Sequence, residues 1–154
     1  MMYKSDYLNK ALGDNGYKVT AQRSMVFEIL DENSDKHLSS EDVYELVKLK
    51  NPHMGIATIY RTLQLFEEIG LVIKHNFDDG CSRYQIIPQD SNEVHQHHHL
   101  LCKKCGKIIE VKEDLMNTLE DMIEKQYNFE IINHVVIFTG ICSQCRNEEN
   151  GDGN

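Results

Sequence analysis

Hydrophobic positions recur every three or four residues along the first half of the chain, then alternate or cluster beyond it. Leu8, Ala11 and Leu12 mark one side of a short helix over residues 6–15, which Gly16 closes. Thr20 is a natural N-cap for a second helix carrying Met25, Val26, Ile29 and Leu30, and Asn33 and Ser34 end it. Ser39 with Asp42 three residues on has the form of a capping box. The third helix that it opens carries Val43, Leu46, Val47 and Leu49 and stops at Pro52.

Gly55 opens a fourth helix that runs to about Gly70. At ~100° per residue, Ile59, Leu63 and Phe66 fall within one arc, with Ile56 and Ile69 at its edges. Ala57, Arg61, Gln64 and Glu68 occupy the opposite face, with Tyr60 at its margin. Two strand-like runs follow, at residues 71–76 and 82–87, joined by a turn signal at residues 77–80. The second to fourth helices and the β-hairpin in sequence make a winged helix-turn-helix, the domain spanning residues 1–87, an architecture that places one helix in the major groove of DNA.

Residues 88–94 are polar and turn-rich and read as an interdomain hinge. Beyond it, residues 95–147 form a small α/β domain. Strands at 98–101 and 107–111 flank a Cys-Lys-Lys-Cys-Gly knuckle, a helix over 112–125 carries Leu115, Leu119, Met122 and Ile123, and a β-branched strand runs over 129–139. The acidic, Gly-rich residues 148–154 are expected to form a disordered tail. The fold class is α+β.

Composition narrows the options. The chain has 154 residues, 40% of them hydrophobic, enough for globular cores. It shows no transmembrane-length apolar run and no secretory signal, so a cytoplasmic protein with reduced cysteines is expected. The net charge of -9 argues against a non-specific nucleic-acid binder. Residues 1–85 hold 10 Lys and Arg against 13 Asp and Glu, whereas residues 86–154 hold 6 against 12, so the acid is concentrated where His and Cys cluster. Enzyme signatures such as H-E-x-x-H, H-x-E with P-C-x-x-C, G-x-S-x-G and the P-loop are absent, and neither a catalytic residue nor a small-molecule substrate is expected.

The cluster itself spans residues 95–105, with four of the eight histidines and two of the five cysteines. Cys102 and Cys105 form one Cys-x-x-Cys knuckle, Cys142 and Cys145 a second, and four thiolates fill a closed, tetrahedral zinc site. Unrelated buried pairs or a redox disulfide are the competing readings; Cys81, in the hairpin turn, is left over. Strand alternation puts His97 and His99 on one face, suited to an exchangeable Fe(II), Mn(II) or Zn(II), and His98 on the other. Glu110 and His37 are candidates to complete the exchangeable site, with His37 placed to tie the two domains through the ion. Tyr60 and Arg61 on the fourth helix suit thymine methyls and guanine or phosphate.

Tyr-Lys-Val-Thr-Ala-Gln-Arg at 17–23, Ala-Thr-Ile-Tyr-Arg-Thr-Leu at 57–63, Ser-Arg-Tyr at 82–84, the His-His-His-Leu-Leu-Cys-Lys-Lys-Cys-Gly run at 97–106 and Gly-Ile-Cys-Ser-Gln-Cys at 140–145 resemble the ferric uptake regulator (Fur) family. The resemblance covers nearly the whole chain. It implies a homodimeric, metal-dependent transcriptional repressor, iron-responsive and controlling metal uptake genes, with a C-terminal dimerisation domain and double-stranded DNA, an AT-rich inverted repeat, as partner. Peroxide, zinc and manganese sensors belong to the same family, and a zinc-stabilised protein-interaction module is the reading of another class. The family's structural zinc ligands fall on Cys102, Cys105, Cys142 and Cys145. Its regulatory ligands fall on His37, Gln85, His97, His99 and Glu110. Gln85 is a departure, since iron sensors carry Glu there and peroxide sensors Asp. An additional site in some members falls on Gln96, His98, Asn117 and His134, of which only His98 and His134 are strong ligands. Lys18 matches a family lysine that enters the minor groove, where narrow A-tract grooves attract cations.

Overall fold

The computed structural model describes residues 4–77, 79–87 and 98–151. His97 and the expected hinge lie outside them. The chain divides into two compact units, Met1–Ser91 and Asn92–Asn154.

In the first unit, α1 (Lys4–Asp14), α2 (Ala21–Glu32), α3 (Ser40–Lys50) and α4 (Ile56–Glu68) precede a hairpin of β2 (Val72–Asn76) and β3 (Ser82–Ile86). The caps form as their sequences dictate. The Thr20 side chain accepts the Arg23 N–H at 3.2 Å. Ser39 Oγ accepts the Asp42 N–H at 3.0 Å while the Asp42 carboxylate accepts the Ser39 N–H at 2.9 Å, closing the capping box. Gly70, at φ +77°, makes the left-handed turn that α4 needs to feed β2. A two-residue strand, β1 (Leu38–Ser39), escapes sequence periodicity because it is too short to show any. It pairs antiparallel with β3, giving the sheet order β1-β3-β2.

The core is the one the helical spacing implies. Leu8, Leu12, Val26, Ile29, Leu30, Val43, Val47, Ile59, Leu63 and Phe66 are all buried, joined by Leu65, Leu71, Val72, Tyr84 and Ile86. Leu49 instead points outward, 83% exposed, because it lies past the buried stripe of α3. Phe77 lies in the turn by sequence yet is fully buried. The Arg83 guanidinium lies 5.3 Å over its ring and pairs with Asp79 at 2.8 Å, fixing the base of the wing. Leu63 is wholly enclosed, so Leu63→Ala should cost about 2–5 kcal/mol through lost transfer energy and the cavity left behind. Urea unfolding of the full chain checks this as a lower midpoint for the winged-helix transition.

The second unit has β4 (His98–Cys102), β5 (Ile108–Val111), α5 (Asn117–Tyr127), β6 (Ile137–Gly140) and α6 (Ser143–Gly151). Its sheet order is β5-β4-β6, with β4 antiparallel to β5 and parallel to β6. Three expectations need correction. The helix begins at Asn117 rather than residue 112, after an irregular stretch that includes Asp114. The last strand is four residues long, since residues 129–136 take no regular structure after the left-handed Asn128 ends α5. Residues 148–151, expected to begin a disordered tail, instead complete α6, which is anchored through the buried Cys145 and a 3.0 Å Lys104–Glu149 ion pair.

No residue of α5 is buried within the chain. Leu119, Met122, Tyr127, Phe129, Ile132 and Val135 are each at least half exposed. So much exposed apolar surface is more than a small solitary unit ordinarily carries. Among the described residues, no helix is long and apolar enough to cross a membrane.

Candidate metal centres

The two knuckles meet. Gly106, at φ +74°, takes the left-handed turn after the first Cys pair. Its N–H reaches the Cys102 carbonyl at 2.9 Å, and the Cys102 N–H bonds the Lys107 carbonyl at 2.9 Å, closing the β4–β5 turn. The parallel β4–β6 pairing sets Cys102 opposite Gly140, so the chain leaving β6 delivers Cys142 to the same end of the sheet, and the first turn of α6 brings Cys145. Cys102 and Cys145 Sγ lie 3.9 Å apart, Cys105 and Cys142 Sγ 3.8 Å, and all four sulfurs fall within 4.8 Å of one another. A tetrahedral ion with Zn–S bonds of about 2.3 Å requires sulfur–sulfur edges of about 3.8 Å. The geometry fits zinc.

Electrostatics point the same way. The backbone N–H groups of Cys105 and Cys142 hold the Cys102 thiol down to about 6. Cys145 is pushed up, first by its contact with the Cys142 thiol and then by burial. Four crowded sulfurs cannot share four negative charges without a cation among them. A bound dication supplies it and leaves no coordination position open for catalysis.

Other donors gather elsewhere. On β4 the alternation separates His99 from His98, both buried. His99 pairs in register with Glu110, and its Nε2 stands 3.9 Å from Glu110 Oε1. His98 faces the other way: its Nε2 accepts the Leu115 N–H at 3.4 Å and lies 3.8 Å from Asp114, and its ring sits 5.2 Å from that of His134. His134 Nδ1 in turn contacts Glu120. His98, Asp114 and His134 thus place donor atoms within 4.8 Å of one another. In the winged-helix unit, His37 lies with its ring 5.1 Å from His75 and 5.9 Å from Phe77. Gln85 lies on β3, opposite Ile73.

Sequence spacing assigns no role to His75, Asp114 or Glu120. For His75 the signal lay in the hairpin register, which becomes readable once the turn is fixed. Asp114 reaches His98 from the irregular stretch before α5, and Glu120, on α5, meets His134 in the irregular stretch after it; no periodicity announces either contact.

The nucleic-acid candidates are solvent-facing. Tyr60 is 45% exposed on α4, and its hydroxyl donates to Glu41 of α3. That bond holds the Glu41 carboxyl below its ordinary range and the Tyr60 phenol above its own. Arg61 is exposed, with Nη2 3.4 Å from Thr58 Oγ1. Lys18 is exposed just before α2, where the Arg23 guanidinium bonds its carbonyl and lies 5.7 Å over the Tyr17 ring.

The profile of the ferric uptake regulator family matches residues 14–139. The chain belongs to the ferric uptake regulator family. A ferric uptake regulation protein of Bacillus subtilis (strain 168) is 44% identical over 149 residues, covering 97% of this chain and 99% of that protein. Among solved structures, the ferric uptake regulator of Francisella tularensis with iron matches at a TM-score of 0.75 and 31% identity, covering 85% of this chain and 96% of that one. The Helicobacter pylori regulator, described as having three functional metal binding sites, matches at a TM-score of 0.80 and 26% identity, covering 93% and 91%. Fur proteins are transcription regulators, and this member is a metal-binding regulator rather than an enzyme. Its mixed helix and strand architecture is the winged-helix and α/β arrangement that the sequence implies.

Proposed function

We propose that the chain is a cytoplasmic, homodimeric repressor whose affinity for DNA rises when a divalent metal binds, with iron as the sensed ion and metal uptake genes as targets. One observation carries the reading: metal donors outside the four-sulfur site occur in both units. His37 lies in the winged-helix unit, and the register-paired His99 and Glu110 lie in the zinc unit. With His97 and Gln85 they form the donor set of a regulatory ion able to link the two units. Zinc in the Cys102, Cys105, Cys142 and Cys145 site is structural. The exposed apolar residues of α5 and the segment after it support dimerisation, since a second copy would remove them from water.

Tyr60, Arg61 and Lys18 are the proposed DNA contacts, on a unit that is mildly acidic and therefore a poor non-specific binder. Two half-sites engaged by a dimer make up for that weakness. Arg61→Ala should lower affinity for an AT-rich inverted repeat by about 1–3 kcal/mol, read by fluorescence anisotropy at fixed salt, with metal binding unchanged. A second reading, zinc sensing, draws on Gln85, because neutral donors suit Zn(II) as well as Fe(II). Anaerobic titration of a labelled AT-rich inverted repeat with Fe(II)-, Mn(II)- and Zn(II)-loaded protein tests the proposal. Retardation strongest with Fe(II) is expected. Retardation with none of the three would leave a zinc-stabilised interaction module.

A further inference from the structure

Gln85 gives the regulatory donor set of the winged-helix unit an oxygen without charge, which binds a divalent ion weakly. The same hairpin carries a stronger donor. In the β2–β3 register Ile73 pairs with Gln85 and His75 with Arg83. Directly paired residues share a face of a sheet, and residues two apart on one strand share it as well. His75 therefore lies on the face of Gln85, one diagonal step away. Its ring stands 5.1 Å from that of His37, and a nitrogen of each lies within 4.8 Å of the other. Two nitrogens on one tetrahedral ion stand about 3.4 Å apart for bonds near 2.1 Å, a distance that a modest side-chain rotation reaches. Buried Phe77 packs against both rings, 5.9 Å from His37 and 5.7 Å from His75, and so restricts their rotamers. Restricted rotamers lower the entropic cost of ligation.

We propose that His75 is a ligand of the regulatory ion, donating beside His37 from the winged-helix unit. The inference rests on the regulatory reading given above. An added imidazole in place of an anionic oxygen tilts the site away from Mn(II), the weakest binder of the divalent series, toward Fe(II), Co(II) and Zn(II). The competing account makes His37, His75 and Phe77 an aromatic packing cluster only. His75→Phe separates the two, because it keeps a ring against Phe77 and removes the donor.

The test uses full-length, zinc-loaded protein carrying His134→Ala, which silences the His98–Asp114–His134 cluster. Co(II) is titrated by its visible ligand-field absorption and Mn(II) by electron paramagnetic resonance, with zinc content and circular dichroism as checks on the fold. His75→Phe should weaken Co(II) binding by about tenfold or more and change the ligand-field bands, while Mn(II) affinity falls by less. His75→Gln, a smaller perturbation should the Phe variant fail to fold, should do the same. Unchanged Co(II) affinity and spectrum in a folded His75 variant, with both lost in His37→Ala, would overturn the His75 assignment and leave the regulatory site standing. Unchanged Co(II) binding in His37→Ala as well would overturn the regulatory reading itself.

Discussion

Cys102→Ser protein is expected to purify without its zinc and with its second unit unfolded. Cys102 is 4% exposed, lies at the end of β4, and makes one of the sulfur edges that match a tetrahedral ion. Serine shortens the reach and replaces a soft thiolate by a hard hydroxyl that stays protonated. The loss is severe because this unit has little else to hold it. Among its described residues only Leu101, Cys102, Cys145, His98 and His99 are buried. Structural zinc in small domains contributes roughly 10–16 kcal/mol of apparent binding free energy, which is folding free energy when no preformed site exists without it. The winged-helix unit, with its own continuous core, should keep a cooperative transition. Metal analysis should fall from about one zinc per chain to near zero, and sedimentation should show loss of the dimer. A Cys102→Ser protein that retained full zinc and its quaternary state would contradict the structural role.

His99→Ala is the complementary case, large in its effect on regulation and small in its effect on architecture. His99 lies three residues before Cys102 on β4 but turns toward Glu110 rather than toward the sulfurs. Zinc content should stay at wild type. Affinity for the regulatory ion should fall by at least about tenfold, since even the indirect partners of metal ligands contribute that much. Operator affinity should then no longer respond to metal. His97→Ala, at the other β4-side histidine of the proposed donor set, should behave alike. Isothermal titration with Co(II), alongside zinc analysis, measures both quantities in one preparation. A folded His99→Ala protein with unaltered metal-dependent DNA binding would remove His99 from the sensor.

Much of this was legible in the sequence because two strong signals coincide. Helical spacing located Ile59, Leu63 and Phe66 on the buried side of α4, and their burial leaves Tyr60 and Arg61 facing solvent. The paired Cys-x-x-Cys spacings identified four sulfurs that the structure brings within bonding distance of one ion. What stayed hidden depends on long-range or irregular backbone. Strand β1 is too short for periodicity and exists because β3 offers it a partner. Helix α6 is held by the buried Cys145 and a long-range ion pair, neither of which shows in the polar, acidic composition that suggested a tail. The exposure of Leu119 and Met122 departs from an amphipathic helix packed within its own domain, and it is this apolar face that the proposed dimer would cover. Asp114 joins His98 through the irregular segment before α5, where a longer helix was expected.

Metal and DNA are coupled in the proposed repressor, and coupling is reciprocal. The decisive measurement is a closed thermodynamic cycle on the full-length, zinc-loaded protein under anaerobic conditions. DNA affinity is determined with and without Fe(II), and Fe(II) affinity with and without a duplex carrying an AT-rich inverted repeat. Fe(II) should tighten DNA binding by at least about fivefold, the lower end of typical allosteric couplings, and DNA should tighten Fe(II) binding by the same factor. Equal DNA affinity with and without Fe(II) would contradict it.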